Sequence, residues 1–172
     1  MENKNTYLMY GLITGIIMVI CNVILYITGA IFKPEMKFIS SIVDLPFLVG
    51  IIMNAVAFSK SRDGFVTFGN VFGSCFKATL IIMAVNLVWC IISLFAFPEM
   101  KDKVLEMQRQ QMMEKSMSDD QIDMAINMTR KFWSAFAIGG TILGTIILGA
   151  VFSLIGGAVA KKKGEPITGT NF

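Results

Sequence analysis

Four side chains in or beside long apolar runs are the first places to look for chemistry: Asn22, Asp44, Lys77 and Asn86. A polar or ionisable group in such surroundings is costly to desolvate, so each needs a partner or a purpose. Asn22 and Asn86 fit two readings, hydrogen bonding between helices or contact with a substrate on a pathway. Asp44 is the one acid near the interior of an apolar run. With Leu45 and Pro46 it also forms the pattern of a helix start, Asp as N-cap and proline in the first turn. Lys77 can snorkel its ammonium group to a membrane surface. The order of the runs predicts that Asp44 and Lys77 lie towards opposite surfaces and do not pair. The chain has no histidine, which excludes Ser-His and Cys-His catalysis, His-ligated zinc and a histidine pH switch. Cys21, Cys75 and Cys90 are widely spaced, without a C-x-x-C, and read as small apolar residues. No base accompanies the cysteines and no second carboxylate accompanies Asp44, so the expectation is a protein without catalysis, metal or cofactor.

The elements that must hold these residues follow from composition. Of 172 residues, 55% are apolar and 16% charged, with a mean hydropathy of +0.67. A soluble domain carries about a quarter charged residues, so the apolar excess here must face lipid. The net charge of +3 and pI near 8.8 are too mild to argue for nucleic acid.

Four stretches reach the length that crosses a bilayer, about 20 residues at about 1.5 Å each. They cover residues 7–32, 42–58, 71–97 and 132–160. Lys33-Pro34-Glu35 stops the first, Ser59-Lys60-Ser61-Arg62-Asp63-Gly64 follows the second, and Pro98-Glu99 breaks the third. The first run is longer than the apolar core of a secretory signal, and Thr28-Gly29-Ala30 is a poor cleavage site, which predicts a retained helix. The expected fold is all-α: a single membrane domain over residues 1–172, a four-helix integral bundle, with a tail at 161–172. An even number of spans puts both termini on one side. Positive residues divide seven to eight between the two sides, and the Lys161-Lys162-Lys163 run with Lys60 and Arg62 tips the orientation to termini inside.

Helices in lipid associate through close backbone approach and polar contacts. The last span carries Thr141, Thr145, Gly149, Ser153 and Gly157, a ridge of small residues every fourth position. Gly140 and Gly144 add a G-x-x-x-G on the neighbouring row, and Gly11 and Gly15 form another in the first span. These positions predict helix packing within the monomer, or dimerisation.

Between the second and third spans, Phe65, Phe68, Phe72 and Phe76 recur at helical spacing after a possible N-cap at Thr67. This predicts a short amphipathic helix over 65–76 on the membrane surface. It is read as lipid-facing surface or core, with headgroup recognition by Lys60, Arg62 and Lys77 as the functional alternative. Residues 98–131 are the one sizeable polar segment. Pro98-Glu99 opens one helix there and the capping box Ser118-Asp119-Asp120-Gln121 opens another, so an extramembrane helical hairpin is expected. It holds seven of the 13 methionines: Met100, Met107, Met112, Met113, Met117, Met124 and Met128. Methionine offers an adaptable apolar face for packing or for docking a partner helix. Its thioether also binds Cu(I), but no histidine or cysteine lies nearby to support copper.

The order of these features resembles a known family. The sequence opens M-E-N-K-N-T-Y-L with G-L-I-T-G in the first span, and continues with R-D-G-F-V-T-F-G-N-V-F-G-S-C-F-K from Arg62 to Lys77. P-E-M, a Gln/Met/Glu-rich helix, S-D-D-Q-I and a Gly-rich last span before K-K-K complete it. Over nearly the whole chain this resembles the bacterial domain-of-unknown-function family 4199. Relatives often carry Glu where this sequence has Asn70, so a role for that acid does not carry over. The resemblance implies a four-helix inner-membrane protein of Gram-negative bacteria with no established activity, and a membrane-associated glycosyltransferase as a possible partner.

Two functions follow. The first is a non-enzymatic accessory or scaffold subunit that binds a membrane partner through the methionine-rich hairpin or the small-residue ridge, or forms a homodimer. The second is a small transporter or lipid-handling protein using Asn22, Asn86, Asp44 and Lys77, which requires a polar cavity between the spans.

Overall fold

The computed structural model describes residues 5–32 and 37–160. Residues 161–172, and with them the lysine run and tail, lie outside the described residues. Apart from turns and short links, the described chain is helical: α1 (Thr6–Ile27), a 3-10 turn (Ala30–Phe32), α2 (Lys37–Lys60), α3 (Phe68–Ala96), α4 (Glu99–Glu114), α5 (Asp119–Lys131) and α6 (Trp133–Val159). Three of these, α1, α3 and α6, are long and apolar enough to cross a membrane, with 22, 29 and 27 residues.

Local chemistry explains most boundaries and corrects three expectations. α1 stops short of residue 32. The Thr28 hydroxyl donates to the Ile24 carbonyl at 2.8 Å, and Gly29 then takes φ +67°, the left-handed turn that ends many helices and that glycine adopts freely. α2 does not begin at Asp44. It starts at Lys37 and carries Pro46 in its interior, so Asp44 is a mid-helix residue and not an N-cap. A proline removes one backbone donor, but continuing the helix leaves the neighbouring N–H and C=O groups paired, which favours helix over loop in apolar surroundings. The surface helix expected over 65–76 is not a separate element. α3 runs unbroken from Phe68 to Ala96, capped by Thr67, whose hydroxyl accepts from the Asn70 N–H at 3.3 Å. Nothing in its sequence forces a turn at residue 76, and the Phe68, Phe72 and Phe76 rings stack in series along it with centroids 6.3 and 6.0 Å apart.

α3 is the hub, packed against α1, α2 and α6, while α2 also touches α1 and α6. The core joins Met18 of α1, Phe47, Ile51 and Ala55 of α2, and Val71, Cys75, Ala78 and Ile82 of α3. Phe152 of α6 meets Phe47 edge-on at 5.1 Å between centroids. Every buried residue of α1 lies at or before Met18, those of α3 lie between residues 71 and 82, and those of α6 begin at Gly149. The well-packed part of the bundle is therefore the half where α1 and α3 begin and α2 and α6 end.

α4 and α5 pack against each other through Leu105, Ile122 and Ile126, with Met112 alongside. Arg109 bridges to Asp123 at 2.6 Å, and the Ser118 N–H donates to Gln121 Oε1 at 3.3 Å where α5 opens. Most of the methionines stay outside this contact: Met113, Met117, Met124 and Met128 are exposed.

Candidate functional site

The glycines show where the bundle is tight. A Cβ on Gly11 would sit 2.8 Å from Ile81 Cβ, and one on Gly15 would sit 2.9 Å from Val85 Cβ, so this pair lets α1 lie directly on α3. Gly50 of α2 lies against Thr14 and Gly149 of α6 against Thr79, both too close for any added carbon. A Cβ on Gly157 would meet the Phe68 ring at 2.8 Å, and Ser153 is fully buried between these contacts. The other end of α6 is different: a Cβ on Gly139, Gly140 or Gly144 would meet nothing within 4 Å. Thr145 is half-buried there. The row of small residues is one sequence pattern with two structural fates.

Where α6 parts from α3, a cavity of about 290 Å³ opens between α1, α3, α4 and α6. Asn22 and Asn86 line it together, with Ser93 and Thr141 as further polar walls and Trp89 and Trp133 among its apolar ones. The two asparagines thus share one site, but they are not bonded to each other among the described residues. Asn22 Nδ2 donates one turn back to the Met18 carbonyl at 2.9 Å. Asn86 Nδ2 donates to the Ile82 carbonyl at 2.9 Å and reaches across to α1 at Met18 Sδ, 3.9 Å away. Ser93 and Thr141 likewise donate to Cys90 and Ala137 carbonyls on their own helices, at 2.8 and 2.9 Å. Each bond uses one donor, so the hydroxyls of Ser93 and Thr141 keep acceptor lone pairs, while each asparagine also carries a second amide N–H and its carbonyl oxygen. Among the described residues the lining contains no carboxylate, no cation and no base beside Cys90. Such a pocket suits an uncharged or amphipathic molecule with hydrogen-bonding groups.

Asp44 and Lys77 are not brought together. It is Ile51 and Asn54 of α2 that meet the Ser74–Cys75 turn of α3, while Lys77 lies over the Tyr7 ring with Nζ 5.7 Å from its centroid. Sequence reasoning passed over Asn54, which is fully buried. Its Nδ2 donates to Ser74 Oγ at 3.3 Å and approaches Cys75 Sγ at 3.6 Å, and the Cys75 thiol faces the Ile51 carbonyl at 3.6 Å. This short network ties α2 to α3 and accounts for Cys75 as a structural residue. The signal available was an amide inside an apolar run, the same signal that marked Asn22 and Asn86. Gly50 and Gly156 were also passed over, and Gly50 is a single glycine with no glycine three, four or seven residues away.

A family model described as a protein of unknown function (DUF4199) matches residues 9–162. No curated protein and no solved structure matches the chain. The match spans most of the sequence, and the chain belongs to the DUF4199 family.

Proposed function

We propose that this member of the family is a four-span protein of the bacterial inner membrane, acting without catalysis as an accessory subunit that holds a membrane partner. In this reading α2 is the additional span. Its 24 residues extend about 36 Å at helical rise, and it packs on the same three helices that carry the membrane signal. The α4–α5 pair is extramembrane and both termini are cytoplasmic, so that Lys60 at the end of α2 and Arg62 in the turn after it lie on the cytoplasmic side.

The observation that carries the partner reading is the divided fate of the α6 glycines. Gly149 and Gly157 are in contact inside the bundle, whereas Gly140 and Gly144 stand one turn apart facing open space. In lipid a small-residue face gains little until another helix lies on it, so the open stretch fits a second transmembrane helix. A glycosyltransferase of the same membrane is one candidate partner and a second copy of this chain is another. The test is purification from native membranes in mild detergent, followed by mass spectrometry, with wild type beside Gly140→Ile/Gly144→Ile. One protein should recur with wild type and fall several-fold with the variant. Repeated recovery of the bait alone would overturn the proposal.

A second reading, transport or lipid handling, is favoured by the cavity that Asn22 and Asn86 share. Substituting both asparagines by leucine would abolish ligand retention on that reading and leave partner recovery untouched.

A further inference from the structure

The opposite end of the bundle holds a separate cleft, where α1 and α3 begin and α2 ends. It encloses about 300 Å³ and is lined by Tyr7, Phe58, Arg62, Asn70, Ser74 and Lys77, with Gly69 and Gly73 completing its surface. Two cations from different elements thus face one small polar space, and among the described residues no acidic side chain lines it. Both are steadied by aromatic rings: Arg62 Cζ lies 4.9 Å from the Phe58 centroid and Lys77 Nζ 5.7 Å from the Tyr7 centroid. A ring face attracts a cation without neutralising its charge. Neither forms an ion pair among the described residues, where the one salt bridge joins Arg109 to Asp123. Gly73 adds room, since a Cβ there would meet nothing within 4 Å. The first turn of α3 also lies at the cleft, and the positive end of its helix dipole adds to the same field. From Lys60 to Lys77 the sequence has three cations against one acid, Asp63, a net of +2. Residues 98–131 at the other end have six against seven, a net of −1.

We infer that this cleft binds a phosphate oxyanion at the membrane surface, with the Arg62 guanidinium and Lys77 ammonium as its two charged donors and the Tyr7 hydroxyl and Asn70 amide as neutral ones. Arginine suits this role because its planar fork can engage two phosphate oxygens, and lysine adds a point charge. The same chemistry is offered by the headgroup of an anionic phospholipid and by a soluble phosphate. The site is distinct from the partner surface on α6 and does not depend on it.

The test uses the full-length protein in nanodiscs of equal phosphatidylglycerol and phosphatidylcholine, released for native mass spectrometry, with and without added inorganic phosphate. Wild type should retain phosphatidylglycerol over phosphatidylcholine. Arg62→Gln/Lys77→Gln should weaken that retention about thirtyfold, which corresponds to about 1 kcal/mol for each cation at a membrane surface. Arg62→Lys/Lys77→Arg should keep most of it, and Lys101→Gln/Lys103→Gln at the other end should change nothing. Retention unaffected by phosphate assigns the site to the lipid headgroup, and displacement of the lipid by phosphate assigns it to the oxyanion as such. Equal retention of the two lipids by wild type, with no phosphate bound, overturns the inference without any variant having to fold. So does a double variant that retains phosphatidylglycerol as wild type does.

Discussion

The two halves of the bundle are built from the same residue types and behave differently. Towards the end where α1 and α3 begin, glycines sit against Thr14, Ile81, Thr79 and Phe68, and the core from Phe47 to Ile82 is closed to solvent. Towards the end where α4 follows α3, the glycines of α6 face open space and a cavity separates the helices. Apolar content alone does not decide packing in lipid, because lipid tails replace a missing neighbour at little cost. Contact forms where a small residue on one helix opposes a bulkier one on the next, and that complementarity is present only in the first half. The tight half holds the helices together, and the loose half leaves space between α3 and α6.

The largest expected effect comes from filling the tight half. Gly149→Val would drive side-chain carbons into Thr79, and overpacking of this kind costs about 3 kcal/mol or more where backbone must move. Thermal unfolding in detergent should show a clear fall in Tm, while Gly144→Val, on the same helix, should stay within about 0.5 kcal/mol of wild type. Equal effects at the two positions would erase the difference between the halves.

The same pair shows how far the sequence could be read. The helical class, the Gly11–Gly15 contact and the Thr67 cap were legible because each is a local pattern: a spacing, or a hydroxyl three residues before a bonded N–H. The divided fate of the α6 ridge was not legible. Gly144 and Gly149 are identical in sequence terms, and only the identity of the opposing residue, Thr79 or nothing, separates them. Asp44 with Pro46 misled for a related reason. The pattern that starts a helix also occurs inside one when the flanking chain gains more from staying helical than from the proline's missing bond. Asn22 and Asn86 were recognised as neighbours in character. Their bonding was not, since an amide can turn back to its own helix as readily as across to another.

A smaller effect belongs to the α4–α5 pair, whose contact is confined to Leu105, Ile122 and Ile126. Leu105→Ala should cost about 2–4 kcal/mol of local stability. Hydrogen exchange should quicken over residues 99–131 and leave the tight half unchanged. Faster exchange at Ile51 or Cys75 would mean that the pair and the bundle unfold together. Removing the exposed Arg109–Asp123 bridge should matter less, about 0.2–1 kcal/mol.

The smallest effect concerns the latch between α4 and α1, at the loose end. The Tyr26 hydroxyl donates to Glu99 Oε1 at 2.9 Å, and Lys103 lies over the Tyr26 ring at 5.9 Å. The Glu99 carboxylate is held below its ordinary value, first by a backbone hydrogen bond at its own residue, then by the Tyr26 hydroxyl, with the Lys103 charge adding a little and partial desolvation opposing. A carboxylate whose folded pKa is depressed favours the folded state when ionised. Its contribution is present at pH values above the ordinary glutamate value of about 4.3 and is lost as pH falls through the lowered value. Glu99 is solvent-exposed, so the result should be local: on acidification the first turn of α4 should exchange faster, after correction for intrinsic rates, while α3 and the tight half hold. Glu99→Gln should show the faster exchange already at neutral pH and lose the acid step, and Tyr26→Phe should show part of both changes. An acid step that persists unchanged in Glu99→Gln would place its origin in another carboxylate of α4 or α5, and the loose end would then be held by packing alone.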